Sequence, residues 1–342
     1  MKNKLSYLSF LNVVSCIAVI MLHTNGCFWI FSNERYWITA NIIESIMYFA
    51  VPIFFMITGA TLIDYRERYS TKIFFQKRVK KTLIPFIFWS IVGLFYMMSK
   101  GKIEYLNLGI LDILSKVINT QIISIYWFFI PLFSIYLSVP ILSLIPERDR
   151  KKWYLYLAIV SFFTVYLFPF LSTLLKIEYN YSLTIGVGSG YVLYVIVGYL
   201  VSHYELSKKL RNIIYLFSAL GLIIHLVGTY YLSVNSNQII ETFKGYLNVP
   251  CFLYSLGIFV FFKYLRVPEI LKNIFNKSTS LDRYTFGAYL LHFFVIDLGI
   301  TILKINIYSI YYRVFAPFII FMICIIIIRL IKKIPYIRII LP

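Results

Sequence analysis

Five ionisable side chains sit inside long apolar runs of this chain: His23, Glu44, His225, His292 and Asp297. A charge in hydrocarbon is costly unless it is paired, neutralised or facing water, so each of the five is a candidate functional group. His23 is the strongest. Asn12, eleven residues earlier, falls within about 20° of the same helical face and about 16 Å along the axis, with Cys16 between them. A groove of Asn12, Cys16 and His23 facing a helix bundle would suit a histidine acting as general base, because neutral imidazole is available near pH 7. A histidine hydrogen-bonded to a neighbouring helix for packing fits the same spacing. Glu44 stands at a similar depth and can orient His23 by accepting a ring N–H; it can equally be an interfacial carboxylate in contact with water. His292 shares a face with Thr285, Ala288 and Tyr289, whereas Asp297 lies about 140° further round. His225, near Gly221 and Gly228, reads as a packing histidine. His203, beside Lys208 and Lys209 in a polar gap, is not expected to take part. No span carries a second histidine or carboxylate at metal-ligand spacing, which argues against a metalloenzyme.

The elements that must position these groups are ten apolar runs, 5–27, 41–63, 82–99, 122–145, 153–170, 185–202, 211–233, 247–263, 284–303 and 307–328. Each is near the length of about 20 residues that a bilayer core demands of a helix. With the N-terminus in the cytoplasm, 25 of the 33 lysines and arginines fall in the gaps and tails of that side and 8 on the other. Such a bias across short loops sets orientation and places both termini in the cytoplasm. The fold expected is an all-α polytopic bundle of about ten transmembrane helices.

At 60% hydrophobic and 14% charged, the 342 residues leave no stretch polar enough for a soluble domain, so residues 1–342 read as one membrane domain. The net charge of +19 comes almost wholly from the cytoplasmic gaps, which makes anionic lipid headgroups, not nucleic acid, the expected partners of those bases. Cys16, Cys27, Cys251 and Cys324 lie in or at the ends of spans without paired short spacing, and no disulfide framework is expected. Val13, Val14, Ser15 and Cys16 loosely resemble a lipoprotein cleavage box, but apolar sequence continues to Leu22, so the first run reads as a retained anchor. The basic stretch 64–81 is predicted to be an amphipathic helix at the inner interface. The gap 100–121, apolar at Leu108, Ile110, Leu111 and Leu114, is predicted to rest on the outer face as a short helix, and 263–283 is a third candidate for structure outside the spans. Gly186, Gly188 and Gly190 have no strand before them and are read as sites of close helix packing, not as a nucleotide fingerprint.

Several segments together resemble the acyltransferase-3 family of integral membrane acyltransferases. The first runs from Phe10, Leu11 and Asn12 to Met21, Leu22 and His23, similar to a first-helix motif that ends in the family's functional histidine. Ala50 to Gly59, with Pro52 and Thr58, resembles the second-helix signature, which usually has serine where Thr58 stands. Lys77 to Phe86 is similar to the basic run and proline that open the third helix. Tyr126, Trp127 and Phe128 with Tyr136 and Pro140 resemble the fourth helix, and Tyr284 to His292 a late one.

The resemblance implies transfer of an acyl group, commonly acetyl, from cytoplasmic acyl-CoA to a hydroxyl of a glycan, wall polymer or lipid-linked sugar. No permanently bound cofactor is implied, acyl-CoA being the donor substrate. His23 would be catalytic, as base or as the acyl carrier of a two-step transfer, with Glu44 beside it. Asn12, Arg78 and Lys81 would bind the donor, and Trp127, Tyr289 and His292 the acceptor. Two positions depart from the family: Asn12 and Tyr48 stand where arginines are expected, which shifts donor handling towards Arg78 and Lys81 or reduces activity. The setting implied is a bacterial plasma membrane. The chain ends soon after its tenth run, so it is expected to acylate its acceptor directly or through a separate extracytoplasmic or glycan-assembly partner. Two rival readings remain: a glycan or lipid-intermediate transporter or flippase, which lacks the expected pair of broken helices in corresponding halves, and a non-catalytic partner of a glycan-assembly enzyme.

Overall fold

A computed structural model describes residues 2–102, 109–184, 186–188, 190–335 and 338–341. Among them there are helices and no strands. Each of the ten apolar runs contains helix among the described residues. Helix α1 (Lys2–Thr24) makes the first; α2 (Arg35–Met47) and α3 (Ala50–Leu62) make the second, joined through Tyr48 and Phe49. Helix α4 (Thr71–Arg78) runs through a π-helical turn, Val79–Leu83, into α5 (Ile84–Ser99). After α6 (Ile110–Ile118), a 3₁₀ turn leads into α7 (Phe129–Leu142). Helices α8 (Glu147–Ser161) and α9 (Phe168–Leu175) form one crossing, α10 (Val192–His203) the next, and α11 (Lys208–Ile223) with α12 (Thr229–Ser236) another. Helix α13 (Val249–Tyr264) turns through 117° into α14 (Glu269–Thr279), and α15 (Asp282–Leu303) and α16 (Ile310–Ile331) complete the bundle. Among the described residues eight helices are long and apolar enough to cross a membrane, nine if the bent pair is one span, and α10, in the sixth run, is a shorter apolar helix of 12 residues.

Helices α1 and α16 run antiparallel. Thr24 Oγ1, at the end of α1, donates to the Arg313 carbonyl at the start of α16 (3.4 Å). Arg329 Nε, near the end of α16, donates to the Tyr284 hydroxyl (3.3 Å) at the start of α15, beside Asp282, which accepts from Asn12 of α1. The start of α1 and the end of α16 therefore lie on one face, called here the terminal face. Phe315, Phe318, Ile319, Met322 and Ile326 on α16 are exposed, the pattern of a helix facing lipid.

Two expectations change. The basic stretch 64–81 is not a separate interfacial helix: α4 is continuous with the third crossing. The widened turn contains Lys81, whose carbonyl the ring of Pro85 would strike in a regular helix, and a second π-helical turn contains Val165, four residues before Pro169. Of the three glycines before α10, Gly188 packs closely, since a Cβ there would lie 1.9 Å from Ser161 Oγ, while Gly190 adopts φ +58° and Gly186 has open space beside it. Residues 110–118 do form a short helix and 269–279 another; Leu108 lies outside the described residues.

The tightest crossing is α3 against α10, where backbones meet without side chains between them. A Cβ on Gly59 would lie 1.8 Å from the Val195 carbonyl oxygen, and one on Gly198 2.1 Å from that of Met56. Small residues permit such approach in membranes, where helix contact relies on packing. Gly198→Leu is expected to cost more than the 1–3 kcal/mol or so of ordinary overpacking, because backbone must move. A monodisperse, normally melting Gly198→Leu protein in detergent would contradict this contact.

Candidate active site

The site is built on a polar seam between α1 and α15. Ser9 Oγ donates to Asp282 (2.8 Å), Asn12 Nδ2 donates to Asp282 and to Thr285 Oγ1 (2.9 Å), and Cys16 Sγ approaches the Thr285 carbonyl at 3.5 Å. At the far end of the seam the rings of His23 and His292 lie 5.1 Å apart. Positions 282, 285, 289 and 292 recur at helical spacing, so one face of α15 meets the Asn12, Cys16 and His23 face of α1. His292 is fully buried, and its Nδ1 lies 2.7 Å from the Tyr289 carbonyl and 3.2 Å from that of Ala288. A carbonyl only accepts, so Nδ1 carries the hydrogen and neutral His292 keeps its lone pair on Nε2, which has no partner among the described residues.

His23 lines a cavity of about 590 Å³ in the half of the bundle away from the terminal face. Glu44, Tyr48, Trp127, Tyr191, Tyr246 and Tyr289 line it too, and Tyr48 stacks on Tyr246, which stacks on Trp127. A second cavity of about 160 Å³, towards the terminal face, is lined by Asn12, Thr58, Tyr136 and Thr285. Phe128 and Tyr289 line both, so the two abut at these rings. Tyr289 is pinned there by donating its hydroxyl to the Ile125 carbonyl.

Among the described residues Glu44 makes no hydrogen bond to the His23 ring, although both line the larger cavity. It is buried and pairs at 2.7 Å with Lys244, from the segment between α12 and α13. The Lys244 ammonium also sits 3.7 Å from the centre of the Tyr48 ring. Burial pushes its pKa down, and the Glu44 carboxylate opposes that fall. Lys244 is thus a residue the sequence reading missed: it stood in a loop, and nothing local signals that the loop folds inwards over α2.

The remaining candidates divide. Arg78 is half-buried, with its guanidinium 5.4 Å from the Tyr136 ring that lines the smaller cavity, whereas Lys81 is exposed and stands apart from both cavities. Asp297 pairs with Lys100 (3.2 Å) and accepts from the Tyr96 hydroxyl, outside the site. His225 packs edge-on against Tyr48 at 4.9 Å. His203 ends α10 and contacts Asp64 at 2.8 Å, in a cluster with Arg150.

Residues 5–331 match the model of the acyltransferase-3 family, described as an acyltransferase domain. No curated protein and no solved structure matches the chain.

Lys244→Met should strand the Glu44 carboxylate at a cost of roughly 3–5 kcal/mol. Adding Glu44→Gln should recover most of that loss, which melting of the two variants in detergent would reveal. Equal melting of parent and Lys244→Met would remove the pair from the structure's support.

Proposed function

The chain belongs to the acyltransferase-3 family of membrane acyltransferases, and we propose that it moves an acyl group, acetyl foremost, from acyl-CoA to a hydroxyl of a glycan, wall polymer or lipid-linked sugar. In this reading the terminal face is cytoplasmic, consistent with its excess of lysine and arginine. One observation carries the reading: His23 lines the larger of two cavities that abut at Phe128 and Tyr289. Donor thioester entering past Asn12 and Thr58 and acceptor resting on Trp127 and Tyr246 would then meet beside one imidazole.

His23 takes the acceptor hydroxyl proton as that oxygen attacks the thioester carbonyl. The carbon–sulfur bond breaks, the new ester forms, and His23 returns the proton to the departing thiolate. His292, with its Nδ1–H committed to a carbonyl, keeps an unpartnered Nε2 beside the His23 ring, and a hydrogen bond to it, not made in this structure, would hold His23 in the tautomer that leaves a lone pair for the acceptor. Asn12 is engaged by Asp282 and Thr285, so charge for the CoA phosphates falls to Arg78 and its basic neighbours. The aromatic walls suit a sugar ring, whose apolar faces pack on such surfaces.

Acyl transfer from labelled acetyl-CoA to a native envelope extract tests the proposal. His23→Ala is expected to lose more than 100-fold in turnover at parental expression while His203→Ala retains it; full activity of His23→Ala would end the assignment. Arg78→Gln is expected to weaken acyl-CoA binding several-fold and to flatten its salt dependence, with Lys81→Gln the milder change. Equal donor affinity for Arg78→Gln and parent at low salt would assign Arg78 to topology alone.

A further inference from the structure

Arg313, one of the eight bases counted on the side away from the termini although it stands inside the run 307–328, lies in the first turn of α16 and is only 1% exposed. Its guanidinium donates to neutral oxygens: Asn25 Oδ1 (3.3 Å), the Tyr36 carbonyl (3.2 Å), Thr39 Oγ1 (2.8 Å) and the Tyr308 carbonyl (3.2 Å). Its Nε is buried and has no hydrogen-bond partner among the described residues. No carboxylate lies within ion-pair distance of it among the described residues. The nearest link to a carboxylate runs through Asn25, whose Nδ2 is 3.5 Å from Glu44 Oε2, and Glu44 is already paired with Lys244. A buried guanidinium that meets only neutral acceptors is an incomplete arrangement, since a desolvated charge is held at low cost only beside an opposite one.

The place for that opposite charge is present. Arg313 lines a cavity of about 380 Å³ with Arg35, Tyr36, Thr39, Tyr308 and Tyr311. Arg35 and Tyr311 are exposed, so the cavity is reached from outside the bundle. The N-terminus of α16 stands at the same wall: Ser309 caps it with no side-chain bond, and its first-turn N–H groups add positive potential. The exposed Arg35 guanidinium can meet an anion directly. Arg313, whose terminal N–H groups are already donated, adds its charge from behind with the helix N-terminus, and tyrosines at the rim place the anion at the depth of lipid headgroups.

We propose that Arg313 and Arg35 form a phosphate-binding site on the face opposite the termini, separate from the larger cavity and linked to it through Asn25 and Glu44. The phosphate belongs either to an anionic lipid headgroup or to a mobile phosphorylated compound such as the phosphoryl end of an acceptor. The site stands or falls independently of the acyl-transfer reading, because its test is binding.

The experiment uses the full chain in maltoside micelles at constant ionic strength set with chloride. Melting temperature is followed against inorganic pyrophosphate and, separately, against phosphatidylglycerol in mixed micelles. A saturable rise is expected with at least one of them, with apparent affinity at least fivefold weaker in Arg35→Glu and unchanged in Lys102→Gln. Saturation with pyrophosphate assigns the site to a mobile phosphate; saturation with the lipid alone assigns it to a headgroup. Arg313→Gln should abolish the response; should that variant fail to fold, Arg35→Glu, altered only at an exposed position, decides alone. No saturable rise with either probe, or equal responses in parent and Arg35→Glu, overturns the proposal.

Discussion

The seam between α1 and α15 is the constraint on which the rest depends. Two helices that must share a bilayer interior meet through polar groups, Asn12 with Asp282 and Thr285 at one end and His23 beside His292 at the other. Hydrocarbon offers these groups no alternative partner, so their pairing fixes the rotation of both helices about their axes. That rotation turns His23 into the larger cavity and Asn12 into the smaller one. A helix turned by one residue would bury neither correctly.

Charge clusters hold the crossings at both faces and leave the middle to aromatic rings. On the terminal face Arg150 reaches Asp64 at 2.5 Å and the Tyr199 hydroxyl at 3.2 Å, tying α8 to the end of α3 and to α10. On the other face Lys244 with Glu44 ties the loop before α13 to α2, and Arg313 with Thr39 and Asn25 ties the start of α16 to α2 and to the end of α1. Between these clusters Tyr48, Tyr246 and Trp127 stack in series, giving the cavity a flat apolar wall in place of loose aliphatic packing.

The crossings were legible because apolar length is a local signal, and the face of α15 was legible because helical spacing puts Thr285, Ala288 and Tyr289 beside His292. The first-helix stripe was read the same way, and both ends of it lie in cavities. What spacing along one helix does not carry is the partner. Glu44 could be seen, but Lys244 is 200 residues away and reaches it only through the fold of a loop. Arg313 was passed over although it stands inside the run 307–328, because it was counted only as a base on the side away from the termini and spacing does not show that helix packing buries it. The basic stretch 64–81 was split from the third crossing because charge usually marks a boundary, whereas here the helix continues through a widened turn before Pro85. Position 48 illustrates the same limit: tyrosine stands where the resemblance led to an expectation of arginine, and the cation found there comes from elsewhere in the chain, over the Tyr48 ring.

The central claim is that donor and acceptor approach one histidine from opposite faces. Vesicles holding the protein in a single orientation test it, with labelled acetyl-CoA confined to the face bearing the termini and native envelope polymer confined to the other. Label is expected on the polymer in that arrangement and not when the acetyl-CoA is moved to the polymer's side alone. Label on the polymer only when both reactants share a face would contradict the account.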